Sequence, residues 1–312
     1  MLQSSVTRVF RPVTAANPAP TAAASAPRAL VFGGSGQIGE RLLARLLSGG
    51  WQVTAWSRQP RAARPGLIWR QGDLAVPAAP GETFEAIFSC GPLDHFARWY
   101  AENPVRAPRI VAFGSTSLEV KQHSVDAAER DVAQRLANAE QALFSAAQAR
   151  GATATVLRPT LVYGTGRDKT LTQIAGLAQR TGAFVLPVDA TGLRQPVHVD
   201  DLASAALAVI GQPATQQRSY AVGGGEVLAY TQMVQRVLAA LPRPARLYQV
   251  PPGLFGFALT AAHRLGRLRG MNAAALQRMR EDLVFDLEPA RRDFGYAPRA
   301  FQPLPEELGI GE

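Results

Sequence analysis

The chain has 312 residues, 47% of them hydrophobic and 18% charged, enough to bury a sizeable core in one large domain or two small ones. That composition excludes a fibre, a wholly disordered chain and a disulfide-stapled miniprotein. Thirty-three basic against 24 acidic residues give a net charge of +9, which favours anionic partners, but no Lys/Arg block and no DNA- or RNA-reading module is present, so nucleic acid is not expected.

Residues 1–27 carry arginines, then prolines and small residues, without the apolar stretch of about 7–15 residues that a signal peptide requires. They are read as a flexible tail, with an Arg-containing organelle-targeting segment as the rival, and no transmembrane segment is expected. From Ala29 to Phe32 a short apolar run enters Gly33-Gly34-Ser35-Gly36-Gln37-Ile38-Gly39, and Leu42, Leu43, Leu46 and Leu47 then recur at helical spacing. Gly49-Gly50 stops that helix, Gln52–Trp56 reads as the next strand, and Ser57-Arg58 lies at its end.

Ile68-Trp69 precedes Gly72-Asp73-Leu74, and Phe84–Ser89 and Arg109–Phe113 read as further strands. Asp94 and His95 fall in a loop after the first of these, and Lys121 and His123 in a polar loop after Ser115-Thr116-Ser117. A long helix is predicted from about Ala127 to Ala149 and a strand over Ala152–Leu157. Beyond it, Thr170–Arg180, Asp201–Ile210 and Thr231–Leu241 read as helices and Ser219–Val222 as a strand. Leu254, Phe255, Phe257 and Leu259, followed by Arg264, Arg267 and Arg269, suggest a pocket-side or oligomer-facing element.

Alternating strands and helices argue for an α/β fold, a Rossmann-type doubly wound parallel sheet with a smaller carboxy-terminal substrate region. The predicted division is a dinucleotide-binding core over residues 28–178 and a mixed region over 179–312 that completes the sheet and forms the substrate-side lobe. Gly33, Gly36 and Gly39 follow a strand and open a helix, where a turn must be sharp and a backbone must approach a pyrophosphate closely. Ser35, Gln37 and Ile38 complete that turn, and the amides at the helix start would face the anionic oxygens.

An acidic residue at the end of the second strand would mark NAD. Ser57 and Arg58 stand there instead, with Arg61 and Arg64 close behind, and a guanidinium matches a 2′-phosphate; NADP is therefore favoured over NAD. Asp73 and Leu74 are placed at the adenine end, with a plain turn as the alternative for Asp73. The single cysteine, Cys90, cannot form an internal disulfide and fits a reducing, cytoplasmic setting. His95, His123, His198 and His263 lack zinc-site spacing, so no metal is expected.

The glycine turn, Gly72-Asp73-Leu74, Ser115-Thr116, Leu157-Arg158-Pro159-Thr160-Leu161-Val162-Tyr163-Gly164 and Arg194-Gln195-Pro196-Val197-His198-Val199-Asp200-Asp201 together resemble the extended short-chain dehydrogenase/reductases, in their NAD-dependent epimerase/dehydratase branch. The resemblance implies a nicotinamide cofactor and a small-molecule substrate, a nucleotide-linked sugar or another alcohol or carbonyl. It assigns Ser115 to the reacting oxygen, Arg158 and Pro159 to the nicotinamide pocket, and Arg194 to a substrate phosphate. Tyr163 is carried as a second substrate-binding candidate. His198, Asp200 and Asp201 would organise the following helix start.

The departure is in the proton-transfer centre, where the family carries Tyr-x-x-x-Lys on the long helix. Anchored on Glu140, the tyrosine position is Val132 and the lysine position Leu136. Lys121 could reach inward as a substitute catalytic group, and Thr116 could orient substrate, while a surface role for Lys121 and a helix-bracing role for Glu129 and Arg130 are the plainer readings. Two functions stay open: an atypical NAD(P)-dependent oxidoreductase or epimerase, and a noncatalytic NAD(P)H-binding scaffold, redox-sensing regulator or accessory protein similar to that of respiratory complex I. A homodimer is among the assemblies left open.

Overall fold

The computed structural model describes residues 26–74, 81–256 and 277–311. The expected tail therefore lies almost wholly outside the described residues, as does most of the element expected over 254–269.

Strand β1 (Arg28–Phe32) is buried along four of its five residues, as a strand covered on both faces requires. Helix α1 (Gln37–Ser48) turns Leu42, Leu43 and Leu46 onto the sheet and ends at Gly49. Strands β2 (Gln52–Ser57), β3 (Leu67–Gln71) and β4 (Ala86–Ser89) follow. Helix α2 (Leu93–Glu102) occupies the segment expected as a loop. Its start is Pro92, and Leu93, Phe96, Ala97, Trp99 and Tyr100 bury one face against Phe32 and Trp56, so the Gly91-Pro92 pair begins a helix here.

After β5 (Arg109–Phe113), the single turn α3 (Ser117–Lys121) replaces a polar loop, its first amide donating to the Ser115 hydroxyl at 3.1 Å. Helix α4 (Ala127–Ala149) starts on the Asp126 side chain, and Arg130 braces that start by donating to the carbonyls of Ser124 and Val125. Strands β6 (Thr153–Pro159) and β7 (Val162–Tyr163), helix α5 (Leu171–Thr181), strands β8 (Ala183–Pro187), β9 (Leu193–Arg194) and β10 (Val197–His198) and helix α6 (Val199–Ala208) come next. The chain continues through β11 (Arg218–Val222), β12 (Leu228–Ala229), α7 (Tyr230–Ala239) and β13 (Arg246–Val250) to a last helix, Glu288–Phe294.

Seven parallel strands form the central sheet in the order β11-β6-β5-β4-β1-β2-β3, the doubly wound arrangement expected. One core packs α1, α6 and the last helix on one face, and a second packs α2 and α4 on the other. A third core joins α5, α7 and the parallel pair β8–β13 into a lobe that takes Tyr163 and Leu171 from before residue 178. The sheet in turn takes β11 and α6 from beyond that residue. The strand order reverses between β1 and β4, so a crevice opens at their carboxyl ends, beside the glycine turn.

Candidate functional site

The glycine turn has the steric properties of a pyrophosphate cradle. Gly33 sits at φ +69°, and a Cβ there would lie 2.8 Å from the Cys90 carbonyl carbon on the neighbouring strand end. A Cβ on Gly39 would overlap the Gly33 carbonyl oxygen, so α1 can cross the turn this closely only with glycine. Gly36 is the N-cap of α1 and supplies no side-chain acceptor, so no side chain caps the amides of the first turn. The segment after β7 reaches over the turn: the Thr165 hydroxyl donates to Gln37 Oε1 at 3.3 Å, and Arg167 pairs with Glu40 at 2.7 Å. A bare helix N-terminus behind a glycine-rich turn fits the dinucleotide that the sequence implies.

At the end of β2, Ser57 is buried and its hydroxyl accepts the Gln59 amide at 3.2 Å. Arg58 is exposed. Arg61 lies over the Trp69 ring at 5.3 Å, and Arg64 bridges to Leu67 through its backbone. The Gly72 amide donates to the Ser57 carbonyl at 2.9 Å, which sets Asp73 and Leu74 beside the same strand end.

Beyond the carboxyl ends of β5 and β6 lies a cavity of about 460 Å³. Ser115, Thr116, Lys121, Arg194, Tyr230 and Arg278 are among the residues that line it. Thr116 is pinned, its hydroxyl donating to the Pro159 carbonyl at 3.1 Å, which ties this part of the lining to β6. Lys121 Nζ stands 3.5 Å from Glu129 Oε1, and Arg278 Nη1 donates to the same oxygen. Burial pushes Glu129 up, but the Ser124 hydroxyl, Arg278 and Lys121 outweigh it and hold the carboxyl below the usual glutamate range.

Arg194 is only 5% exposed and donates to the carbonyls of Leu193 and Glu281, each at 2.7 Å, and of Arg278. Its guanidinium stands 5.0 Å from the centre of the Tyr230 ring. Burial lowers the Arg194 value and raises that of the Tyr230 phenol, which stays protonated.

Other expected site residues stand elsewhere. Arg158 turns toward the long helix: Nε donates to Glu140 at 2.8 Å, Nη2 to the same carboxylate, and Nη1 to Glu119 at 2.9 Å. Its guanidinium is thus committed to a helix-to-strand joint, while Pro159 presents its carbonyl to Thr116. Tyr163 is buried in the third core, edge-on to His198 at 5.1 Å and to Phe301 at 5.0 Å, and does not line the cavity. His198 itself caps α6, its Nδ1 accepting the Asp200 amide, while Asp201 pairs with Arg299. Val132 is half-buried and Leu136 packs against the second core, so the family's tyrosine and lysine positions hold only apolar groups. His123 is exposed, and Asp94 pairs with Arg135 at 3.5 Å.

Tyr230 and Arg278 are site residues that sequence reasoning missed. Neither belongs to a local motif: Tyr230 is the first residue of α7, and Arg278 meets Glu129 across 149 residues of chain.

A doubly wound sheet with a glycine cradle at its switch point and a polar cavity beside it defines a dinucleotide-binding α/β protein. The sequence model of the NAD dependent epimerase/dehydratase family matches residues 29–139 and 133–223. The protein belongs to that family of extended short-chain dehydrogenase/reductases, and so to the general class of NAD(P)-dependent oxidoreductases and epimerases. It is 26% identical over 320 residues to 2-alkyl-3-oxoalkanoate reductase of Stenotrophomonas maltophilia, covering 86% of this chain and 94% of that protein.

Among solved structures, it is similar in fold to the UDP-glucuronic acid 4-epimerase from Bacillus cereus in complex with NAD, with TM-score 0.66 and 11% identity over 91% of this chain and 98% of that one. It is similarly related to the UDP-glucose 4-epimerase of Thermotoga maritima with UDP-glucose, with TM-score 0.62 and 14% identity over 91% and 96%. No helix among the described residues is long and apolar enough to cross a membrane.

Proposed function

We propose that the protein is an NADP-dependent oxidoreductase that interconverts a carbonyl and an alcohol in the cavity beside Ser115. The observation that carries this reading is the shared cavity wall of Ser115, Thr116 and Lys121, two hydroxyls and an ammonium at the carboxyl edge of a Rossmann sheet. The glycine cradle would hold the pyrophosphate, and Ser57 and Arg58 the 2′-phosphate. The bound nicotinamide supplies or accepts the hydride. Ser115 donates a hydrogen bond to the reacting oxygen, and Thr116, fixed on Pro159, sets the wall against which it rests. Lys121, held beside Glu129, gives a proton to that oxygen on reduction and takes it back on oxidation. The reductase relative, which covers most of both chains, supports carbonyl reduction; the epimerases of similar fold make a nucleotide-linked sugar the alternative substrate.

The competing reading is a noncatalytic NAD(P)H-binding protein, favoured by Val132 and Leu136 in the tyrosine and lysine positions. NADPH consumption with 3-oxo acids, simple ketones and 4-keto nucleotide sugars separates the two. For an enzyme, Ser115→Ala and Lys121→Met should each lower turnover about a hundredfold or more while leaving the NADPH dissociation constant unchanged. Tight NADPH binding without turnover of any of these carbonyls would transfer the protein to the noncatalytic class.

A further inference from the structure

The cavity carries a charge pattern that proton transfer alone does not use. Among the described residues its wall has three cations, Lys121, Arg194 and Arg278, and no carboxylate. The three are not equivalent. Arg194 is tied down by three backbone carbonyls and covered by Tyr230, so its donors are largely spoken for. Lys121 and Arg278 instead converge on one oxygen of Glu129, which does not itself line the cavity. Each commits one donor to it, where an ammonium has three and a guanidinium five.

Lys121 and Arg278 thus keep donors that no carboxylate among the described cavity-lining residues takes. Glu119, the carboxylate on the short helix that carries Lys121, is taken by Arg158 at 2.9 Å. Both cations stay within reach of solvent in the cavity, their side chains 26% and 34% exposed.

We infer that Lys121 and Arg278, gathered by Glu129, form the seat of a carboxylate carried by the substrate, which makes the substrate an oxo acid or the matching hydroxy acid. The inference rests on the reading that a carbonyl reacts at Ser115. Two cations side by side, each with free donors, match the two oxygens of one carboxylate. An ammonium with two donors left can serve the carboxylate and the reacting oxygen together when the two lie close along the substrate chain, which reconciles the seat with the role given to Lys121. Glu129 gathers the two by accepting from both on one oxygen, an acceptor that a glutamine at this position keeps.

The test is calorimetry on the full-length protein with NADPH present, using malonate, its neutral diamide and inorganic phosphate as probes. Malonate should bind and the diamide should not; Arg278→Gln should weaken malonate about tenfold or more, the loss of one charge-assisted contact. Glu129→Gln should tighten malonate, because the amide oxygen still accepts from the two cations while the local positive charge rises, and this arm decides the matter if Arg278→Gln does not fold. Equal binding of malonate and diamide, tighter binding of phosphate than malonate, or weaker malonate binding by Glu129→Gln would each overturn the seat.

Turnover of 3-oxohexanoate against its methyl ester separates this inference from the reading beneath it. Preference for the acid supports the seat, and equal use of both removes the seat but keeps the oxidoreductase. Malonate binding that depends on Arg278, with neither compound turned over, keeps the seat and removes the oxidoreductase.

Discussion

Replacing Glu140 by Gln would test the joint that holds the cavity wall in place. Glu140 is 5% exposed and accepts from Arg158 through Nε at 2.8 Å and Nη2, and from the Ser219 hydroxyl at 2.8 Å, so one carboxylate ties α4 to β6 and β11. Removing one partner of a buried ion pair costs about 3–5 kcal/mol because the other charge is left uncompensated. Arg158 keeps a second partner in Glu119, whose side chain is 42% exposed, so the lower end, about 3 kcal/mol, is expected.

Against a total stability of about 5–15 kcal/mol that is a large fraction, readable in urea denaturation followed by circular dichroism and tryptophan fluorescence. The double variant Glu140→Gln with Arg158→Gln should cost less than Glu140→Gln alone, because it leaves no buried charge unpaired. A single-variant loss below about 1 kcal/mol, or a double variant no better than the single one, would refute the assignment of Arg158 to this joint.

Arg58→Ala should weaken NADPH about tenfold or more in equilibrium titration while leaving NADH nearly unchanged, and equal losses for the two would remove Arg58 from the 2′-phosphate. The Glu129 carboxyl is held below its ordinary value of 4.5 in the folded protein, so its contribution to stability is full above that value and is lost as pH falls through the lower folded-state value. Stability curves of the native chain and Glu129→Gln against pH should therefore run parallel near neutrality and converge only in acid; divergence above pH 6, on the order of 1 kcal/mol, would contradict this.

The central sheet was legible because its signals are local. Apolar-rich strands, helices with leucines at three- and four-residue spacing and a glycine turn between them each act over a few residues, whereas the order of the seven strands is seen only in the structure. The missed helix α2 shows where local reading stopped, since Gly91-Pro92 reads as a break, and only the aromatic face packed on Phe32 and Trp56 makes the next segment helical. Arg158 shows the same limit within a motif. Its place in the chain matches the family pattern, but where its guanidinium points depends on Glu140, 18 residues away on α4.

The sequence by itself determined the doubly wound sheet and the glycine-rich turn at its switch point, because apolar runs, helical periodicity and glycine sterics are properties of neighbouring residues. It also showed that Val132 and Leu136 leave the usual proton-transfer pair absent. Only the tertiary structure decided what faces the cavity. Arg278 and Lys121 meet on Glu129, Arg194 is tied down by backbone carbonyls, and Tyr163 is withdrawn into the lobe core. These outcomes rest on side chains from distant segments competing for the same partners, and that competition is resolved by packing rather than by the order of residues along the chain.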